Sequence, residues 1–224
     1  MMLSQLTLLP PITFTEFKLP MAKPAYHHGD LQLQAHLLAL DTLRTHGDTA
    51  ISLRALAKQL GVSAPALYRH FSDRETLLAE LAIGGFESLR DRLQAVNQEV
   101  PRTALIEIGL VYVAFAQEEP NLYRLMFGGR VLPKGAHPRL DAAGKGAFQV
   151  LENTVARARD LGYLKPSSVS LMTAAAWSLV HGLSQLTIDG HLPGAKAEPM
   201  LTEGVLSLLL DGSRSNEQQQ SQQD

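Results

Sequence analysis

Apolar positions recur with a helical period along most of the chain, most clearly from Ser52 to Phe71. In SLRALAKQLGVSAPALYRHF, Leu53, Leu56, Ala57 and Leu60 fall at i, i+3, i+4 and i+7, which puts one apolar stripe on a short helix. Ser52 stands where a cap would start that helix. Gly61 stands where it would stop, because glycine takes the left-handed conformation without a Cβ penalty. A second helix must begin within two residues. Its start has two readings: Ser63 accepts a hydrogen bond from the Ala66 N–H with Val62 stapled onto Leu67, or the start slips to Ala64 with Pro65 as the first helical residue. Leu67 and Phe71 would face inward.

Two short helices joined by a glycine turn have the geometry of a helix-turn-helix, whose second helix lies in the DNA major groove. Ala64, Pro65 and Ala66 are small enough to let the backbone approach base edges. Tyr68, Arg69 and His70 supply donors for phosphates or bases. A helical hairpin inside an all-α domain has the same spacing and stays open as the alternative.

The rest of the chain is also helical in pattern. Leu31 to His46 carries Leu31, Ala35, Leu38, Ala39 and Thr42 on one stripe, widened by Leu33, Leu37 and Leu40, and Gly47 ends it. Ser72 to Glu75 reads S-D-R-E, a capping box opening a helix that Leu78, Leu81, Ala82, Leu89 and Leu93 continue to about Val96. Gly84 and Gly85 interrupt this helix and mark either a bend or close packing. Further helices are predicted over 102–119, ending at Pro120, then through NLYRLMFGG, over 141–161 to Gly162, over 168–188 and over 198–210. VLPKGAHP is a loop, and DGSRSNEQQQSQQD is a polar tail expected to be disordered.

GVSAPALYRHFSDRETLL resembles the DNA-binding domain of the TetR family of bacterial transcriptional regulators, over roughly Tyr26 to Leu81. The family pattern is a Gly-Val-Ser turn, a Leu-Tyr-x-His-Phe recognition helix and a following charged-Glu-x-Leu-Leu. The resemblance implies that Tyr68 and His70 hold phosphates, that Ser63, Ala64, Pro65 and Arg69 face the groove, and that Arg74 replaces a phosphate-contacting lysine. Ser52 and Arg54 complete the candidate DNA contacts. AAAWSLVHGLSQL resembles the Trp-His-Gly signature of one branch of the family, with Trp177, His181 and Gly182 at the matching places. Trp177 and His181 are four apart and able to touch; they line an effector pocket or are simply core.

The expected organisation is all-α: a leader or start-site extension over 1–22, a three-helix head over 23–74, a ligand-binding and dimerisation bundle over 75–211, and a tail over 212–224. Tyr112, Phe115, Tyr123, Met126, Phe127 and Met172 would add to a pocket between helices, suggesting an apolar effector. Leu179, Leu183 and Leu186 with Leu206, Leu209 and Leu210 supply two apolar faces for a homodimer or for internal packing. The resemblance implies a cytoplasmic homodimeric repressor, released from a palindromic double-stranded DNA operator by a small-molecule effector. The rival readings are a protein-interaction module or an activator with the same head.

Composition changes this picture little. The net charge of −2 hides a weak asymmetry: residues 21–74 carry six Lys/Arg against four Asp/Glu, whereas 75–224 carry thirteen against seventeen. Cysteine is absent, which excludes disulfides and thiolate metal sites. His27 and His28 are adjacent and lack helical ligand spacing, so no metal is expected. No cofactor motif or catalytic constellation is present, and the adjacent Glu118 and Glu119 would point about 100° apart on a helix, so an enzyme is not expected. No apolar run approaches the roughly 20 residues that span a bilayer, and the leader, broken by Pro10 and Pro11, is a poor signal peptide.

Overall fold

The computed structural model describes residues 28–129, 132–165, 169–192 and 199–213, and among these the regular elements are all helices, with no strand. The head comprises α1 (His28–His46), a 3-10 turn (Asp48–Ala50), α2 (Leu53–Leu60) and α3 (Ala64–Tyr68). The body comprises α4 (Arg74–Gln94), α5 (Pro101–Glu118), α6 (Pro120–Phe127), α7 (Pro138–Asp160), α8 (Val169–Ile188) and α9 (Pro199–Ser213). The expected leader, the start of the expected head through Tyr26 and His27, Ser168, Glu198 and the tail beyond Ser213 lie outside the described residues.

The head folds around Ala35, Ala39, Leu43, Leu56, Leu67 and Phe71, each at most 1% exposed. The α1 stripe is narrower than the sequence suggests: Leu33 and Leu37 are 56% and 52% exposed, and Leu43 takes the inward place. Gly47 ends α1 at φ 80°, and Gly61 ends α2 in the left-handed region at φ 69°.

Three caps differ from expectation. Ser52 and Ser63 occupy N-cap positions, but neither hydroxyl makes a capping hydrogen bond. The Ala66 N–H donates to the Ser63 backbone carbonyl at 3.0 Å instead, so the first turn closes without the side chain. The α4 cap is one residue later than the predicted box: Asp73, not Ser72, accepts the Thr76 N–H, at 2.7 Å. A carboxylate is the stronger acceptor and complements the helix dipole, and this bond holds the Asp73 carboxyl below its ordinary range.

Head and body share one hydrophobic cluster, and α4 carries it across. This helix packs most extensively on α7, then on α6, and also on α5 and α1. It runs unbroken through Gly84 and Gly85. A Cβ on Gly85 would lie 2.6 Å from Met126 Sδ and 3.2 Å from two Leu122 carbons, whereas one on Gly84 would meet nothing within 4 Å. Close packing of α6 therefore explains Gly85, and no bend is present. Gly109 serves α5 in the same way, a Cβ there falling 2.5 Å from Leu206 Cδ1 of α9. At the far end α9 continues to Ser213, so Asp211 to Ser213 belong to the helix and not to the predicted tail.

These contacts give opposite expectations for neighbouring glycines. Gly84→Ala should raise the unfolding free energy measured by urea titration, by up to about 1 kcal/mol, since it restricts the unfolded chain and meets no atom. Gly85→Val should lower it by about 1 to 3 kcal/mol through overpacking against α6. Equal effects from the two substitutions would contradict the packing described.

Candidate DNA-reading surface and effector cavity

The α2–turn–α3 unit buries Leu53, Leu56, Ala57 and Leu67 and turns its other face outward. Ser52, Arg54, Ser63, Pro65, Tyr68 and Arg69 are exposed, with Ala64 and His70 half-buried at the edges of the same face. The side chains of Arg54, Tyr68, Arg69 and His70 have no hydrogen-bonding or ionic partner among the described residues. Their donors are free for an external acceptor.

Arg74 is placed differently. Its Nε donates to the Ile51 carbonyl at 3.0 Å, and its Nη2 donates to the Asp48 carbonyl and pairs with the Asp48 carboxylate at 3.2 Å. The guanidinium thus fastens the start of α4 to the 3-10 turn before α2. Any phosphate contact would have to use its remaining N–H groups.

A cavity of about 650 Å³ opens in the body. Its walls are Phe86, Leu89 and Leu93 of α4, Leu105, Ile108, Gly109 and Tyr112 of α5, Met126 and Phe127 of α6, Leu140 to Leu151 along one face of α7, Met172, Ala176, Trp177 and Val180 of α8, and Leu206, Leu209 and Leu210 of α9. The loop between α6 and α7 forms its rim through Leu132, Lys134 and Gly135.

Of the eight expected pocket residues, Tyr112, Met126, Phe127, Met172 and Trp177 border this space, and Phe115, Tyr123 and His181 do not. Phe115 is buried against α4 instead, where the Arg92 guanidinium lies 5.3 Å from its ring centroid. Tyr123 and His181 stand behind the wall. The Tyr123 hydroxyl is 2.7 Å from His181 Nδ1, that of Tyr112 is 3.0 Å from the same nitrogen, and the two hydroxyls are 3.2 Å apart. Trp177 and His181 do touch, at 5.4 Å between ring centroids.

Burial keeps this network neutral. It pushes the Tyr112 hydroxyl up to about 12, against hydrogen bonds with Tyr123 and Trp177, and raises Tyr123 further, with help from Tyr112. It also lowers the His181 imidazole below its ordinary value. Neutral His181 can therefore accept the Tyr123 O–H at Nδ1 and carry its own proton on Nε2.

The sequence reading missed the α4 and α7 walls. Phe86, Leu89 and Leu93 follow the helical period that defines any core helix, so nothing in the pattern set them apart. The six leucines assigned to a dimer face also divide. Leu183, Leu206 and Leu210 are buried within the protomer, Leu206 and Leu210 in the cavity wall, and Leu179 and Leu209 are half-buried. Leu186 alone is well exposed, at 45%. The outer face of α8 and α9 carries Leu171, Leu186, Met200, Leu201 and Leu208 instead, with Leu208 76% exposed.

Comparison with known proteins agrees at both ends. A model of the bacterial regulatory proteins of the tetR family matches residues 38–81, and a model of the tetracyclin repressor-like C-terminal domain matches residues 105–209. The chain is 35% identical to the uncharacterized HTH-type transcriptional regulator YobS of Bacillus subtilis over 78 residues, 34% of this chain and 41% of that protein. It is 28% identical over 106 residues to the HTH-type transcriptional regulator Rv1816 of Mycobacterium tuberculosis, covering 45% of each. The chain thus spans less than half the length of these relatives. A solved protein of unknown function from Rhodococcus sp. RHA1 superposes with a TM-score of 0.75 at 29% identity, over 86% of this chain and 100% of that one.

The lowered His181 imidazole has a stability consequence. As pH falls through about 6.5, the unfolded chain binds a proton at this residue while the folded protein does not, so stability falls with pH down to the folded value. Half-buried His36 adds to this slope, burial lowering it against the Glu80 charge. His181→Gln should flatten part of the decline in urea midpoint between about pH 7.5 and 5.5. An unchanged slope would remove His181 from the buried neutral network.

Proposed function

The chain belongs to the TetR family of bacterial transcriptional regulators, and on that premise we propose that it is a homodimeric repressor released from a near-palindromic operator by a small apolar effector. DNA binding through the helix-turn-helix is the family's activity, and the family is one of regulators and not of enzymes. The observation that carries the reading is the outward face of α2 and α3, where Arg54, Tyr68, Arg69 and His70 present free donors from a unit whose other face is core. Tyr68, Arg69 and His70 serve phosphates and bases, with Ala64 and Pro65 allowing the backbone close to the groove.

Dimerisation fits the outer face of α8 and α9. Leu171, Leu186, Leu201 and Leu208 are exposed there, and a Cβ on Gly182 or Gly204 would meet nothing within 4 Å in the protomer. Such a face lets a second copy's helices approach closely about a two-fold axis, which gives two heads for two half-sites. The effector site is the cavity. Its rim loop leads into His137 and Arg139, which pair with Glu75 and Glu80 of α4, so a ligand that shifts the loop has a route to the heads. Among the described residues no helix is long and apolar enough to cross a membrane, and the proposed place of action is the cytoplasm, with the chromosome.

Fluorescence anisotropy with the DNA upstream of the gene, in about 150 mM salt with competitor DNA, tests the head. Tyr68→Ala and Arg69→Ala should each weaken binding by about 1 to 3 kcal/mol, roughly 5- to 150-fold, with helicity unchanged. Wild-type affinity in both variants would move the reading surface elsewhere. Sedimentation tests the assembly: Leu208→Glu should turn the dimer into a folded monomer, because this residue is largely exposed in the protomer. A variant that stays dimeric would place the interface on another face. A promoter reporter that rises when the gene is deleted identifies a repressor; one that falls identifies an activator.

A further inference from the structure

We propose that the effector is an apolar monoacid, a carboxylate on an aliphatic or aromatic body, held with its charge at the rim by Lys134 and Lys145. This deepens the reading of the cavity as the effector site and rests on it. Three charged residues border the cavity among those described: Lys134, Asp141 and Lys145. All three are solvent-exposed while bordering the cavity, which puts them at its mouth, Lys134 before α7 and the other two one turn apart on it.

Their commitments differ. Asp141 Oδ2 accepts the Gly135 N–H at 3.0 Å, a bond that pins the loop at a glycine held at φ 87°. Neither lysine has an ion pair or hydrogen bond among the described residues. The mouth therefore carries two free ammonium groups beside one occupied carboxylate, a net single positive charge facing an apolar interior.

The interior offers a charge nothing. Phe86, Phe127 and the aliphatic walls are apolar, the Tyr112 hydroxyl is already shared with His181 and Tyr123 behind the wall, and Trp177 hydrogen-bonds to Tyr112. An anionic group driven to the deep end would lose its hydration without a cationic partner. At the mouth it gains two ammonium donors and keeps contact with water. A cation would meet two like charges. A neutral hydrocarbon would fill the interior but leave the rim unused. The cavity volume, about 650 Å³, suits a body of drug size.

Trp177, the only tryptophan in the chain, borders the cavity against Phe148 at 5.7 Å between ring centroids, so its fluorescence reports occupancy directly. The probes are two matched pairs, decanoate with decanol and biphenylacetate with biphenylethanol. In the full-length protein at least one acid should bind about fivefold or more tighter than its alcohol, and the preference should shrink with added salt. Lys134→Gln/Lys145→Gln should abolish the preference while leaving the alcohol affinity unchanged, which also shows that the variant is folded. Equal affinities within both pairs, or a preference that survives in the double variant, would overturn the acid class and leave the cavity as a site for neutral ligands. No saturable change with any of the four probes would overturn both the acid class and the apolar-effector reading. An acid that binds through the lysines without lowering operator affinity would keep the ligand class and remove the effector role.

Discussion

The close approach of α6 to α4 at Gly85 sets the position of almost everything else in the body. With no side chain there, Leu122 and Met126 lie directly on the α4 backbone. The next residue along α4, Phe86, then meets Phe127 edge to face at 5.1 Å, and these two rings form part of the cavity wall. The same short helix turns Tyr123 toward His181 of α8 and packs on α1 of the head. Arg44 of α1 adds a two-pronged bond to Glu119, at the junction of α5 and α6. One helix of eight residues therefore touches the head, the spine and the cavity together.

Much of this was legible in the sequence where the determinants are local. A helical period, a glycine that must take positive φ and a proline in a first turn are properties of a few consecutive residues, so the head and most helix boundaries follow from them. Caps are less local than they look. A serine hydroxyl competes with its own backbone carbonyl for the same N–H groups, and at Ser63 the carbonyl takes Ala66. At the start of α4 two adjacent acceptors competed and the carboxylate of Asp73 prevailed.

The cavity was legible only in part, because its walls come from six helices and a loop spread over more than half the chain. An apolar side chain carries no mark saying whether it meets a neighbour or a void. Tyr112 and Phe115 are one turn apart on α5, yet the first borders the cavity and the second packs under Arg92. The leucines of α9 pose the same problem, since Leu206, Leu208, Leu209 and Leu210 surround the helix and the polar stripe of Glu203, Ser207 and Asp211 marks only one edge of its outside. Close packing against Gly109 turns Leu206 inward and leaves Leu208 in solvent. Lys134 and Lys145 read as surface charges until the fold placed both at one mouth.

The way the cavity is built also ties one of its walls to the head end of α4. The α4–α6 wall is held at Gly85 and the α5–α9 wall at Gly109, and both contacts are too tight to compress further. The remaining walls are α8 and the first half of α7 with the residues before it, where α7 packs on α4 more extensively than any other helix does and Asp141 pins Gly135. The α7 wall reaches the head end of α4 through His137–Glu75 and Arg139–Glu80, beside Arg74 and its bonds to the turn before α2. Each of these exposed pairs contributes little to stability. Of these walls, the one formed by α7 and the residues before it is also the one fastened by ion pairs to the head end of α4.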